Sequence, residues 1–195
     1  MALKAGSKAP DFSVNDQDGK PVTLSSLRGR KVVLYFYPKD QTPGCTAEAC
    51  NLRDNYKVLQ KQGYEVLGVS TDSEKSHQKF IAKEKLPFRL LADVDKVIHQ
   101  KYDTWVEKSM YGRKYMGTAR VTYIINEQGV IDEVIEKVDT KNHTDQILKN
   151  QPVTKKTAPE KKAAPKKKTS PAKRAAKKVT TKKPAARKKV AKKKK

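Results

Sequence analysis

Apolar residues in this chain follow two patterns, short continuous runs and longer stretches with a helical period. Lys31 to Tyr37 (KVVLYFY) and Tyr64 to Ser70 (YEVLGVS) are nearly unbroken runs, as expected of strands covered on both faces of a central sheet. Between them, Pro43 to Gln62 carries Cys45, Ala49, Leu52, Tyr56 and Leu59 at steps of 4, 3, 4 and 3, which predicts one helix with that stripe against the sheet. Cys50 falls off the stripe, and Gly63 closes the helix. Asp72 or Ser73 caps a further helix to about Lys85, with His77, Phe80 and Ile81 on one side. Strand, helix, strand, helix in that order implies right-handed parallel crossovers and an α/β domain.

The flanking segments fill in the rest. Val14 to Gly29 contains the turn signals Asp18-Gly19 and Lys20-Pro21 and predicts a short strand pair and a helical turn over a sheet edge. Arg89 to Ala92 predicts a short strand after Pro87, and Lys96 to Tyr102 a helix. Trp105 to Gly117 has no clean period and reads as a loop or short excursion packed by its aromatics. Arg120 to Asn126 and Val130 to Val138 form a hairpin around Glu127-Gln128-Gly129, and Thr140 to Asn150 is the last helix, stopped by Pro152.

Charge divides the chain near residue 150. Residues 1 to 150 hold 24 Lys or Arg against 20 Asp or Glu, net +4, whereas residues 151 to 195 hold 20 against 1, net +19. The second segment has no aromatic, Leu or Ile, and its Lys, Ala and Pro composition predicts a disordered tail that cannot bury a core. A run of one sign this dense predicts binding to DNA, RNA, polyphosphate or an anionic membrane surface without sequence preference and with strong salt sensitivity, with a solubilising or incidental tail as the alternative reading. The residues that would carry it include Lys166, Lys167, Lys168, Lys173, Arg174, Lys177, Lys178, Lys182, Lys183, Arg187, Lys188 and Lys189. In composition the tail resembles those of linker histones and histone-like bacterial proteins. The N-terminus lacks the apolar run of a secretory signal and no stretch suits a membrane span, so a cytoplasmic setting is expected, on the nucleoid if the tail holds DNA.

Both cysteines lie in YFYPKDQTPGCTAEAC, from Tyr35 to Cys50. Thr42 suits an N-cap and Pro43 the first helical position, which puts Cys45 in the first turn, where backbone N–H groups and the helix start favour a thiolate. In an intact helix, Cα atoms five residues apart stand roughly 8.7 Å from each other, and a disulfide needs less than about 7 Å. Pairing would therefore require the helix start to unwind. Two unrelated helix cysteines remain an equal reading of this spacing, and two ligands do not make a metal site.

The stretch PKDQTPGC at 38 to 45 resembles the peroxiredoxin signature of Pro, three residues, Thr, two residues and Cys. The following TAEAC resembles the peroxiredoxin Q, or bacterioferritin comigratory protein, branch. The resemblance covers residues 1 to about 150 and implies a thioredoxin-like fold, a central mixed sheet flanked by helices. It also implies a thiol peroxidase that reduces hydrogen peroxide and organic hydroperoxides without cofactor or metal. Cys45 would become a sulfenic acid, Cys50 would resolve it as an intramolecular disulfide, and thioredoxin or a related dithiol would reopen the pair. A monomer suffices, since both cysteines belong to one chain.

The same resemblance gives roles to neighbours. Pro38 would shield the pocket, Thr42 would hydrogen-bond peroxide or sulfur, and the N–H groups near Gly44 and Cys45 would hold the oxygens. GTARVTYIIN places the family's distant arginine at Arg120, a cation that cannot deprotonate in a protein. Glu48, between the cysteines, is an auxiliary candidate for proton handling or a first-turn helix starter. His77 reads as a satisfied, partly buried histidine, and His99 and His143 as isolated and exposed. Trp105, Tyr111, Tyr115 and Met116 read as loop packing before an access wall. Two other classes stand beside the peroxidase: a DNA-associated structural protein with a vestigial thioredoxin-like domain, and a thiol-disulfide oxidoreductase. The set Pro38, Thr42, Cys45 and Arg120 argues against the first, and four residues between the cysteines against the second.

Overall fold

The computed structural model describes residues 3–110 and 112–149. In chain order these form β1 (Ser13–Asn15), β2 (Pro21–Thr23), a 3-10 turn (Ser25–Leu27), β3 (Lys31–Phe36), α1 (Pro43–Asp54), α2 (Tyr56–Lys61), β4 (Tyr64–Ser70) and α3 (Glu74–Glu84). There follow β5 (Arg89–Ala92), α4 (Val97–Lys101), β6 (Trp105–Met110), β7 (Arg113–Thr118), β8 (Val121–Ile125), β9 (Ile131–Ile135) and α5 (His143–Lys149). The tail, its lysines and arginines, and Tyr111 lie outside the described residues. Among the described residues, no helix is long and apolar enough to cross a membrane.

Five strands make the central sheet in the order β5-β4-β3-β8-β9, with β3, β4 and β5 parallel and β8 and β9 antiparallel to their neighbours. This is the thioredoxin-like mixed sheet. The runs in β3 and β4 are unbroken because both faces are covered. Val32, Leu34 and Phe36 pack on one side with Phe12, Ile98 of α4 and Tyr102. Val33, Tyr35 and Tyr37 pack on the other with Cys45, Ala49 and Leu52 of α1, Leu59 of α2, Phe80 of α3 and Ile147 of α5. Gly68 sits opposite Tyr35 in the ladder, and a Cβ there would come within 2.7 Å of the Tyr35 ring, so the bare backbone gives that ring its place. The β1–β2 pair covers the β5 edge through a bridge between Asp16 and Leu91.

Three expectations need correction. The helix expected over Pro43 to Gln62 is two helices, broken at Asn55, whose Nδ2 donates to the Asn51 carbonyl at 2.9 Å in competition with the helical ladder. Trp105 to Gly117 is no loop: β6 and β7 pair antiparallel from Trp105↔Thr118 to Met110↔Arg113, with Gly112 at φ 78 in the turn. The ribbon is solvated on much of its surface, so no apolar alternation marks it. His99 and His143 are completely buried, not exposed. His99 Nδ1 lies 2.6 Å from Asp93 Oδ2 and its Nε2 lies 3.0 Å from Thr118 Oγ1, polar partners that sequence spacing hides.

Candidate active site

The site forms where β3 ends. Phe36 pairs with Val121, so the residue before β8, Arg120, stands beside the loop that leads from β3 into α1. In that loop Thr42 has extended backbone, φ −80 and ψ 149, and occupies the N-cap position, with Pro43 first in the helix. The Thr42 side chain does not cap. Its Oγ1 donates to the Lys39 carbonyl at 3.1 Å, while Thr46 N–H donates to the Thr42 carbonyl at 2.8 Å. Pro38 is half-buried at the start of the loop.

Cys45 is third in α1 and 2 % exposed, on the stripe with Ala49 and Leu52 that the sequence predicts. Arg120 Nη2 donates to its sulfur at 3.2 Å, and a Cβ on Gly44 would lie 3.5 Å from the same nitrogen. The other end of the guanidinium, Nη1, donates to Glu48 Oε2. Burial works against the charge on Arg120, but the Glu48 carboxylate and the Cys45 sulfur outweigh it and hold Arg120 above its ordinary value. Glu48 is not a first-turn residue; it faces inward and is completely buried. Its Oε1 lies 3.2 Å from His143 Nδ1 without hydrogen-bond alignment, and both atoms lack a hydrogen-bond partner. His143 Nε2 lies 3.0 Å from Thr122 Oγ1. A polar line thus runs from Cys45 through Arg120, Glu48 and His143 to Thr122, inside an otherwise apolar layer.

Sequence reasoning missed two further groups. Asp40 bolts down the loop: it accepts from Tyr37 OH at 2.7 Å and Ser76 Oγ at 2.7 Å, lies 2.9 Å from His77 Nδ1, and its N–H donates to Asp72 at 2.9 Å. Burial alone would raise the Asp40 carboxyl, yet the bonds from His77, Ser76 and Tyr37 hold it below its ordinary value. His77 is buried and satisfied, as expected, with Nε2 3.2 Å from the Leu91 carbonyl. Gln41, at φ 58, is a non-glycine in the left-handed region that this bolted turn holds in place. The second group is Lys108 of β6, pushed down by burial and by the nearby Arg120, with Cys45 opposing, and donating to the Thr118 carbonyl. No sequence signal marked Lys108, because the ribbon that carries it read as a loop.

Cys50 stands apart on the same unbroken helix, partly exposed, and its thiol donates to Glu84 Oε2 at 3.6 Å. Burial pushes the Cys50 thiol up, Glu84 adds to this and Arg53 opposes it. Both cysteines are free. Trp105 packs edge-on to His99 at 6.0 Å with Lys96 over its ring, and Tyr115 and Met116 are half-exposed on β7.

Residues 5–134 match the model of the AhpC/TSA family. The chain is 46% identical over 148 residues to the putative peroxiredoxin bcp of Coxiella burnetii, spanning 76% of this chain and 98% of that protein. It is 46% identical over 146 residues to peroxiredoxin Bcp of Escherichia coli K12, spanning 75% and 94%. Among solved structures, Xanthomonas campestris peroxiredoxin Q superposes with a TM-score of 0.70 at 35% identity, over 75% of this chain and 96% of that one. The bacterioferritin comigratory protein of the same organism, described for its alkyl peroxide reduction activity, gives 0.70 at 35%, over 74% and 95%.

Proposed function

The chain belongs to the AhpC/TSA family, in its peroxiredoxin Q or bacterioferritin comigratory protein branch, and is a thioredoxin-dependent peroxidase; from that premise we propose that Cys45 is its peroxidatic residue and Cys50 its resolving one. The observation that supports this most is the hydrogen bond from Arg120 to the Cys45 sulfur at 3.2 Å, made between residues 75 positions apart. A fixed guanidinium there balances the charge on sulfur as nucleophile and the charge that moves onto oxygen during attack. The Cys45 thiolate attacks the terminal oxygen of a hydroperoxide. An S–O bond forms, the O–O bond breaks, and the leaving hydroxide or alkoxide takes a proton and departs as water or alcohol. Thr42, Pro38 and the N–H groups around Gly44 and Cys45 would orient the peroxide. The X. campestris relative's alkyl peroxide reduction supports organic hydroperoxides as substrates beside hydrogen peroxide.

The Cys50 sulfur then attacks the Cys45 sulfenic acid, an S–S bond forms, and the hydroxyl leaves as water. Residues five apart on an intact helix are about 8.7 Å from each other, so α1 must open between them first. A dithiol such as thioredoxin reopens the disulfide by exchange. Glu48 fixes Arg120 in this scheme, which makes it a positioning residue.

The tail holds the enzyme on DNA or another polyanion by counterion release, without base recognition, since it offers no aromatic for stacking. Intact mass after one equivalent of hydrogen peroxide tests the cysteine roles. Wild type loses two hydrogens, whereas Cys50→Ser gains one oxygen. Both cysteines remaining reduced would overturn the assignment.

A further inference from the structure

Helix α1 is tied down on both sides in its C-terminal half. From Cys50 the S–H reaches α3 and donates to Glu84 Oε2 at 3.6 Å, and from Arg53 Nη1 donates to the Glu84 carbonyl at 2.7 Å. The Glu84 side chain is 17% exposed, with its other oxygen 3.9 Å from Lys83 Nζ. On the opposite side Asn51 grips the start of α5: its Nδ2 donates to the Lys141 carbonyl at 2.6 Å, and its Oδ1 accepts from Thr144 N–H at 2.9 Å and Thr144 Oγ1 at 2.8 Å. Asn51 therefore marks where the helix is pinned. Any approach of Cys50 to Cys45 has to break the contact with Glu84.

We propose that Glu84 is a latch on the resolving cysteine, which by accepting the Cys50 S–H keeps that thiol docked on α3 and α1 wound, and so delays disulfide formation after Cys45 is oxidised. The inference rests on the reading of Cys50 as the resolving residue. A thiol that donates to a carboxylate is held in its S–H form, whereas the attacking species is the thiolate. The charged groups that face Cys50 are Arg53 and Asp54 from α1 and Glu84 from α3, and only Arg53 favours the thiolate. Glu84 is thus a positioning residue whose effect is to slow its own enzyme's second step. The delay prolongs the sulfenic acid, the species that an S–H or a second peroxide can take onward.

The test is single-turnover oxidation of the reduced full-length chain by one equivalent of hydrogen peroxide, acid-quenched and read by intact mass across a pH series. Wild type, Glu84→Gln, Glu84→Asp and Cys50→Ser are compared. The readout is the rate of disulfide formation relative to the rate of sulfenic acid formation in the same samples. Glu84→Gln should raise that ratio about threefold to tenfold, the worth of one hydrogen bond to a partly screened carboxylate. It should also move the pH midpoint of disulfide formation downward, and Glu84→Asp should restore the slow rate. An unchanged or lower ratio overturns the latch, as does a higher ratio with an unmoved midpoint, which would mean only a looser helix. Wild type that accumulates sulfenic acid without ever forming the disulfide would instead overturn the role of Cys50.

Discussion

The two ends of one short stretch of helix give the same side chain opposite surroundings. Cys45 lies in the apolar layer with a guanidinium donating to its sulfur, whereas Cys50, five residues on, is partly exposed and donates to a carboxylate. A cation-facing sulfur is placed to be a nucleophile, and a carboxylate-facing thiol is placed to wait. The pattern of apolar positions decides which cysteine meets which group, because Cys45 shares the stripe of Ala49 and Leu52 and Cys50 does not. Under the proposed mechanism, helix periodicity thereby orders the two chemical steps in time.

The comparison breaks most severely at the cysteines themselves. Cys45→Ser should reduce peroxide consumption by roughly a thousandfold or more, since the serine hydroxyl has no comparable nucleophile at neutral pH. Cys50→Ser should leave the first oxidation fast and cut thioredoxin-coupled turnover by roughly a hundredfold. Steady-state peroxide consumption and single-turnover mass analysis, run on both variants, separate the roles. Equal losses in both steps for both variants would erase the asymmetry.

Next in size is the cation. Arg120→Met removes the donor to sulfur and leaves Glu48 buried without its partner. The oxidation rate of Cys45 should fall by about a hundredfold to a thousandfold, the loss typical of one aimed donor at developing charge. Disulfide formation, counted from the sulfenic acid, should change far less. Stopped-flow fluorescence from Trp105 or timed mass analysis gives both rates. A similar loss in the second step would show that Arg120 serves the helix as a whole.

Much of this was legible in the residues. The unbroken runs gave β3 and β4, the stripe gave the inward face of α1, and the Thr-Pro pair marked where α1 begins. The motif match brought Cys45 and Arg120 together across the chain, which periodicity alone could not do. What escaped are partners set by tertiary packing. Glu48 reads as an auxiliary proton handler or a first-turn helix starter with no partner marked until Arg120 and His143 are folded against it, and Asp40 reads as a loop residue until α3 supplies His77 and Ser76. A buried polar line has no period, so each member looks isolated in sequence. The β6–β7 ribbon escaped because hydrogen bonding between its strands, and not burial, defines it.

A smaller effect concerns the tail. Removal of residues 151–195 should leave peroxide reduction unchanged and abolish retention on DNA. Retention of the full chain should weaken steeply between about 50 and 200 mM salt, as counterion release requires. Retention that survives the deletion would place the polyanion contact on the folded domain.

The smallest effect separates the loop under Cys45 from the rest of the fold through two buried carboxylate–histidine pairs, Asp40 with His77 and Asp93 with His99. Burial would raise both carboxyls, but the hydrogen bonds to histidine hold both below the ordinary value of 3.8. A depressed carboxyl contributes stability that is fully present above the unfolded-state value and is lost as pH falls through the folded-state value. Thermal stability should therefore stay level on this account down to about pH 5 and fall below about pH 4. Each Asp→Asn change should cost about 1–3 kcal/mol at neutral pH and flatten that acid limb. Only Asp40→Asn should also slow Cys45 oxidation, by severalfold, because Asp40 holds the loop that carries Thr42. Equal slowing by Asp93→Asn would mean that Cys45 responds to global stability, and the local account of its loop would fall.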